Sequence, residues 1–382
     1  MSLLVLKANN TVQSSSESES FAKRIVAWQR VSGRHGLPWQ SDRTAYRVWL
    51  SEVMLQQTQV ITVLPYFERF LNAFPSVQSL AQAPAEQVMA LWSGLGYYSR
   101  ARNLHRCAQQ VVSEHCGQFP IERAGLEALP GIGRSTAAAI RVFAHGQRDA
   151  ILDGNVKRVF CRHFAIEGVP DTPATLRQLW PLAEHELPQT DLVAYTQGLM
   201  DLGATVCTRN RPNCSGCPVS ETCQAFQTDQ VAQLPTRRKK KSLPQRETTI
   251  VLAIDAEQQV LVEQRPDSGI WGGLLSLPES DLQADTEIET LLGNAGLSAH
   301  VVVDAADASN ASQLPPIDHI FTHFKLRLHP VMVRVKFRAS QVQEAGLRPL
   351  PLGAAAQSAL PRPIKALLEA VAAQSDDLWT GQ

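Results

Sequence analysis

Leu129-Pro130-Gly131-Ile132-Gly133-Arg134-Ser135-Thr136-Ala137 sets a proline and two glycines between stretches of helical period, and the fold of the N-terminal half turns on it. Glycine admits turns that other residues resist, and a helix resuming after it offers free backbone N–H groups from its first turn. Such a hairpin can hold a phosphate or can be a plain helix–helix turn, and the nine residues alone allow both. Upstream, Phe21, Ile25 and Trp28 fall at i, i+4 and i+7, and Pro/Gly punctuation recurs between similar segments as far as about Ala225. Residues 21–225 therefore read as all-α.

Downstream of the hairpin, Ile151-Leu152-Asp153-Gly154-Asn155-Val156-Lys157-Arg158-Val159 puts an acid just ahead of a helix that begins with basic residues. The plain role for Asp153 there is a helix N-cap. Glu52 lies in Trp49-Leu50-Ser51-Glu52-Val53-Met54-Leu55, with Val48, Trp49 and Leu55 as its helical neighbours. A carboxyl on such an apolar stripe is expected to be buried, with a raised pKa that suits a general acid, while a second carboxylate stays ionised. Glu52 and Asp153 thus fit a two-carboxylate arrangement for breaking a glycosidic bond.

Cys207, Cys214, Cys217 and Cys223 crowd into one short stretch, whereas Cys107, Cys116 and Cys161 are scattered. One loop can wrap all four sulfurs around a single metal centre, and four thiolates suit zinc as well as a 4Fe-4S cluster. The first residues lack the apolar run of an export signal, and no stretch is long enough to span a bilayer, so a soluble chain with reduced thiols is expected. Lys+Arg and Asp+Glu are both 36, so any nucleic-acid surface must come from local clustering. Hydrophobic residues at 44% and charged residues at 19% give an ordinary globular composition over 382 residues, enough for two domains or more.

Leu234-Pro235-Thr236-Arg237-Arg238-Lys239-Lys240-Lys241-Ser242-Leu243-Pro244 has no apolar periodicity and reads as a linker. Beyond it the period becomes two: Ile250, Leu252 and Ile254 alternate with less apolar residues, and so do Phe324, Leu326 and Leu328, with Val331, Val333 and Val335 taken to continue that phase. With helices expected near 286–295 and 363–373, this half is α+β. The expected organisation is a flexible N-terminus 1–20, a helical domain 21–225, a linker 226–246 and an α+β domain 247–375.

Leu37-Pro38-Trp39, the run from Ser51 to Gln59, Gly94-Leu95-Gly96-Tyr97-Tyr98, the hairpin, the Leu152–Val156 segment and the cysteine quartet occur together and in order. In this the chain resembles the helix-hairpin-helix DNA glycosylases with an iron-sulfur cluster, and among them the MutY-type adenine glycosylases. The resemblance implies a 4Fe-4S cofactor on the four cysteines. It also implies that Asp153 stabilises the cationic sugar, that Glu52 protonates adenine and then handles the attacking water, and that Asn155 holds this geometry. Leu55, Val60 and Gln197 would border the pocket for the extruded adenine, while Gln57 and Tyr97 would wedge into the vacated stack. Thr58, Leu95, Gly131, Gly133 and Ser135 would complete the DNA-binding face. Superfamily members that also cut the backbone carry a lysine where this chain has Ser135, and serine cannot form a Schiff base, so base removal without strand cleavage is implied.

Residues 247–375 resemble the Nudix-like module of MutY-type enzymes, on Trp271-Gly272-Gly273-Leu274-Leu275-Ser276-Leu277-Pro278 and His319-Ile320-Phe321-Thr322-His323-Phe324. Residues 279–297 hold Glu279, Glu287 and Glu289 but no Arg-Glu followed by a Glu-Glu pair, so no nucleotide hydrolysis is expected. Thr322 and His323 would read the base opposite adenine. The partner so implied is double-stranded DNA with A:8-oxoguanine or A:G mispairs, bound by a cytoplasmic, DNA-associated monomer.

Overall fold

A computed structural model describes residues 20–238, 242–303, 311–338, 342 and 346–378. Apart from Ser20, the predicted flexible N-terminus lies outside the described residues, as do linker residues 239–241. Among the described residues no helix is long and apolar enough to cross a membrane. The chain divides into two compact units: one gathers the residues up to Leu37 with Arg141–Arg238, the other Pro38–Ile140 with the residues from Lys239 onward.

In the first unit, α1 (Phe21–Ser32) starts at Ser20, whose hydroxyl accepts from the Lys23 amide, and it buries Phe21, Ala22, Ile25 and Val26. Trp28 is only half-buried. A Cβ on Gly198 of α12 (Leu192–Asp201) would stand 2.8 Å from Ile25 Cγ2, so these two helices meet at backbone distance because that residue is glycine. Helix α10 (Gly154–His163) is capped by Asp153, and α11 (Pro173–His185) by Thr172 with Pro173 pre-set for the first turn. Helix α12 passes into a π-helical stretch, Leu202–Val206, that leads to the cysteine loop.

The second unit opens with α2 (Pro38–Ser41), α3 (Ala45–Leu55), α4 (Val60–Ala73), α5 (Val77–Gln82), α6 (Ala85–Trp92), α7 (Ser99–His115) and α8 (Arg123–Glu127), and α9 (Arg134–His145) begins in it. Trp49, Met54, Phe67, Phe70, Leu80, Trp92 and Leu104 form its fully buried interior. Caps punctuate the segments as the sequence pattern requires: Thr44 accepts from Arg47 N ahead of α3, and Ser76 and Ser79 make a reciprocal capping box on α5.

The α+β part belongs to this second unit. Strands β1 (Gln245–Ile254), β2 (Gln259–Gln264), β3 (Leu275–Ser276), β5 (Val301–Val303) and β8 (Lys325–Phe337) run in the order β3-β2-β1-β8-β5, with β4 (Glu279–Ser280) on β1, β6 (Ser312–Gln313) and β7 (Ile317–Ile320) on β8, and β9 (Leu347–Pro351) on β2. β1 and β8 pair in parallel from Gln245↔Lys325 to Ile254↔Arg334. Parallel strands are covered on both faces, and β1 is buried continuously from Ile250 to Ile254 rather than alternately. The expectation of a single phase along β8 is corrected. Leu326 and Leu328 lie on one face and Val331, Val333 and Val335 on the other, because the two sets differ by an odd number of residues. The changeover coincides with the switch of antiparallel partner from β7 to β6. On the second face, Val331, Val333 and Val335 join Val251, Ala253 and the α13 (Ile288–Asn294) residues Leu291 and Leu292 in one core. The second expected helix is Arg362–Leu378.

Helices and sheet of this unit are joined by polar contacts. Ser93 Oγ, buried, donates to Leu360 O at 2.7 Å. Arg102 donates to Gly272 O, and the Arg348 guanidinium meets both carboxylate oxygens of Glu86.

Candidate active site

Asp153 sits in extended conformation at the head of α10, and its Oδ1 accepts from the Val156 amide at 2.7 Å. The plain N-cap role is therefore real, and it leaves Oδ2 to a weaker bond from Asn155 Nδ2 at 3.4 Å. Burial pushes the Asp153 carboxyl above the ordinary aspartate range, and the Val156 and Asn155 donors together with the Arg158 charge pull against that rise. Asn155 is held in turn: its Oδ1 accepts from Arg158 at 2.8 Å, and Arg158 Nε donates to Cys207 O at 2.8 Å. Arg158 also donates to Gly203 O. A Cβ on Gly203 would lie 2.6 Å from Asn155 Cβ, so only glycine lets the π-helical stretch come this close. One chain of contacts thus runs from the carboxyl of Asp153 to the first residue of the cysteine loop.

Gln197, expected beside an adenine pocket, is buried, and its Nε2 donates to Asp201 Oδ1 at 2.9 Å. Asp201 is fully buried and also accepts from Arg34 N at 2.8 Å and Arg34 Nε at 2.7 Å. That cluster was not visible in sequence, since Arg34 and Asp201 stand 167 residues apart.

In the second unit, α3 carries Glu52. The expectation of a buried Glu52 is corrected to a half-buried one: of its helical neighbours Val48 and Trp49 are buried, but Leu55 is itself only half-buried. Gln57, exposed, follows the helix with φ 58°, and Tyr97, 43% exposed, has φ 49°. These are left-handed positions held by non-glycine residues at a cost of about 1–2 kcal/mol each. Leu95 is buried, whereas Leu55, Thr58 and Val60 are half-buried. At the hairpin, Gly131 has φ 77° and a Cβ there would press on Asn103 Cβ at 2.9 Å, while Gly133 has open space around it. Gly131 is thus required by the backbone and Gly133 is not. Ser135 lies in the first turn of α9, half-buried.

Arg162, buried, gathers the cysteine loop: it donates to Cys207 Sγ at 3.3 Å, Thr208 O at 2.7 Å and Leu234 O at 2.8 Å. The early part of the predicted linker is therefore pinned to α10, and Thr236 Oγ1 further accepts from Gly168 N. Among the described residues no three His, Cys, Asp or Glu side chains converge closely enough to hold a metal ion. The chemistry of the donor set nevertheless fits one: burial first, and then the charges of neighbouring cysteines, raise the thiols of Cys214, Cys217 and Cys223, the second to about 12, and a bound cation would favour the thiolates.

Thr322 and His323 form the exposed tip of the β7–β8 hairpin, which Phe321 N closes by donating to Phe324 O at 2.9 Å. Thr322 Oγ1 lies 3.3 Å from His323 Nδ1. The Phe321 and Phe324 rings stack beneath them with centroids 4.6 Å apart, and Trp271 flanks Phe321.

Comparison with known proteins matches the helical part and the α+β part separately. The pattern of the HhH-GPD superfamily base excision DNA repair proteins matches residues 50–185, and that of the NUDIX domain matches residues 249–370. An adenine DNA glycosylase of Buchnera aphidicola subsp. Schizaphis graminum is 36% identical over 83% of this chain and 88% of its own. One of Homo sapiens is 34% identical over 81% and 66%. Among solved structures, a thermostable thymine-DNA glycosylase superposes with a TM-score of 0.50 at 27% identity, covering 55% of this chain and 95% of that one.

Proposed function

Since the chain belongs to the adenine DNA glycosylase family, a family of hydrolases that cleave N-glycosidic bonds, we propose that it removes adenine paired with 8-oxoguanine or guanine in duplex DNA and leaves the strand uncut. The observation that carries the reading is Asp153: a half-buried carboxyl capping α10 and held through Asn155 and Arg158. Bond breaking at the sugar leaves an oxocarbenium-like cation, and a fixed, water-poor carboxylate stabilises such a charge more than solvent does. Glu52 delivers a proton to the departing adenine and then takes one from the attacking water. Asn155 keeps the second oxygen of Asp153 aimed. Gln57 and Tyr97 fill the stack, Leu55, Val60 and Gln197 border the extruded base, and Gly131, Gly133 and Ser135 present the hairpin to phosphate. Thr58 and Leu95 support those turns.

Cys207, Cys214, Cys217 and Cys223 would hold a 4Fe-4S cluster, which when bound supplies structural cross-linking of the loop. Thr322 and His323 offer a hydroxyl and a ring nitrogen to the partner base. The protein would act as a cytoplasmic monomer on DNA. Ser135, with no amine to attack the sugar, supports base removal alone.

The test is a duplex with adenine opposite 8-oxoguanine, incubated with the protein and heated with or without alkali. Scission after alkali alone is the expected result. Scission without alkali makes the enzyme a lyase, and none in either case removes the reading.

A further inference from the structure

Arg100 is a buried cation on the first turn of α7, and it points its two terminal nitrogens at carbonyls from two separate turns. Nη1 donates to Val53 O at 2.9 Å, Met54 O at 2.7 Å and Gln56 O at 2.8 Å. Nη2 donates to Gly96 O at 3.1 Å, Leu95 O at 3.4 Å and Thr58 Oγ1 at 3.2 Å. The first set is the C-terminal end of α3, where the helix dipole favours a positive charge. The second set is the turn before α7, joined by the Thr58 hydroxyl from the turn after α3. Each turn carries one left-handed non-glycine residue, Gln57 in the first and Tyr97 in the second. Left to itself a short turn with such a residue relaxes toward commoner backbone angles, so something must hold both.

A planar guanidinium is suited to that. Its N–H groups diverge in a fixed plane, so one side chain serves acceptors on two sides at once, which the single nitrogen of lysine cannot reproduce. Burial pushes the group down to about 10, which still leaves it charged at neutral pH. The Trp92 and Tyr97 rings lie 5.3 Å from Cζ, and Trp92 Nε1 donates to the same Gly96 carbonyl at 3.1 Å.

We propose that Arg100 is a positioning residue for base extrusion: by holding the Gln56 and Gly96 carbonyls on one guanidinium it fixes the spacing of Gln57 and Tyr97, so that the two side chains enter the DNA stack as one rigid tool. The inference rests on the wedge role assigned above to Gln57 and Tyr97 and adds the residue that couples them. Arg100 is buried and acts through the carbonyls it holds.

A double-mutant cycle tests it. Single-turnover excision from an A:8-oxoguanine duplex is measured for wild type, Arg100→Lys, the Gln57→Ala/Tyr97→Ala pair and the triple variant, with melting temperatures taken in parallel. In the wild-type background Arg100→Lys should cost roughly tenfold, a size usual for coupled neighbours, and in the background without wedges roughly twofold or less. A 2-aminopurine beside the target adenine should brighten less with Arg100→Lys than with wild type, a signal that a general loss of stability does not produce once the folded fraction is matched. If Arg100→Lys yields no folded protein, Thr58→Val, which removes one acceptor, goes through the same cycle with a loss of roughly threefold that vanishes without the wedges. Equal losses in both backgrounds overturn the proposal. Wild-type protein that excises no adenine overturns the functional reading and this inference with it, whereas excision with additive losses overturns the inference alone.

Discussion

Asp153 is pulled in two directions, and the balance can be read from a pH profile. Burial favours its neutral form, while the Val156 amide, Asn155 and the Arg158 charge favour the anion, with the net direction upward. In the role proposed for Asp153 excision needs the anion, so the acid limb of the single-turnover rate should lie above the ordinary aspartate pKa of about 3.9. Arg158→Met removes a cation and the donor that holds Asn155, and should move that limb further up; an unmoved limb denies Arg158 this part. For stability the sign is opposite to that of a salt-bridged aspartate. A raised folded-state pKa gives stability that is full below the unfolded value and is lost as pH rises through the folded one. Asp153→Asn keeps the cap and deletes the ionisation. At neutral pH it should melt no lower than wild type, while excision falls on the order of 10³-fold, the scale of losing a preorganised electrostatic group.

At the level of elements, the π-helical stretch Leu202–Val206 and α10 depend on a missing side chain. A methyl on Gly203 would overlap Asn155, and such overpacking costs about 1–3 kcal/mol. Gly203→Ala should therefore lower the melting temperature by roughly 4 °C or more by calorimetry, and reduce excision through Asn155 while leaving duplex affinity in place. The cysteine loop that follows makes a separate prediction: purified protein should be brown and carry about four iron atoms. One zinc and no iron would replace the cluster assignment. Much of this architecture was legible because it rests on local rules. Ser20, Thr44, Ser76 and Thr172 cap helices where short polar residues precede apolar periods, and the four cysteines stand within one loop. Arg100 and Arg162 were not legible, since an arginine that donates to carbonyls some forty residues away leaves no spacing signal. The phase of β8 was misread for a related reason: alternation reports burial against one face, and a strand covered on both sides breaks that assumption.

At the scale of the whole molecule, one boundary between the two compact units falls inside the basic run, between Arg238 and Lys239. The α+β part nevertheless clusters with Pro38–Ile140, and Ser93, Arg102 and Glu86 meet its residues Leu360, Gly272 and Arg348 directly. Ser93→Ala leaves the Leu360 carbonyl buried and unpaired, which costs about 1–3 kcal/mol, so thermal unfolding should begin earlier in that variant with its alkali-dependent cutting intact. Ending the chain at Gln245 should do more. It should keep slow excision, lower the melting temperature, and bring the single-turnover rates on A:8-oxoguanine and A:G pairs together; an unchanged ratio would limit the sheet to general affinity. Arg100 and Arg102 are two residues apart on one helix, the first holding the turns around Gln57 and Tyr97, the second donating to Gly272 in the turn before β3. Helix α7 thus takes part in joining the helices of the second unit to its α+β part. Recombination at the linker, the obvious crossover point for exchanging C-terminal halves between relatives, would carry the sheet across but leave its socket behind, so an inherited swap of this kind succeeds only between chains whose α7 has kept the same face.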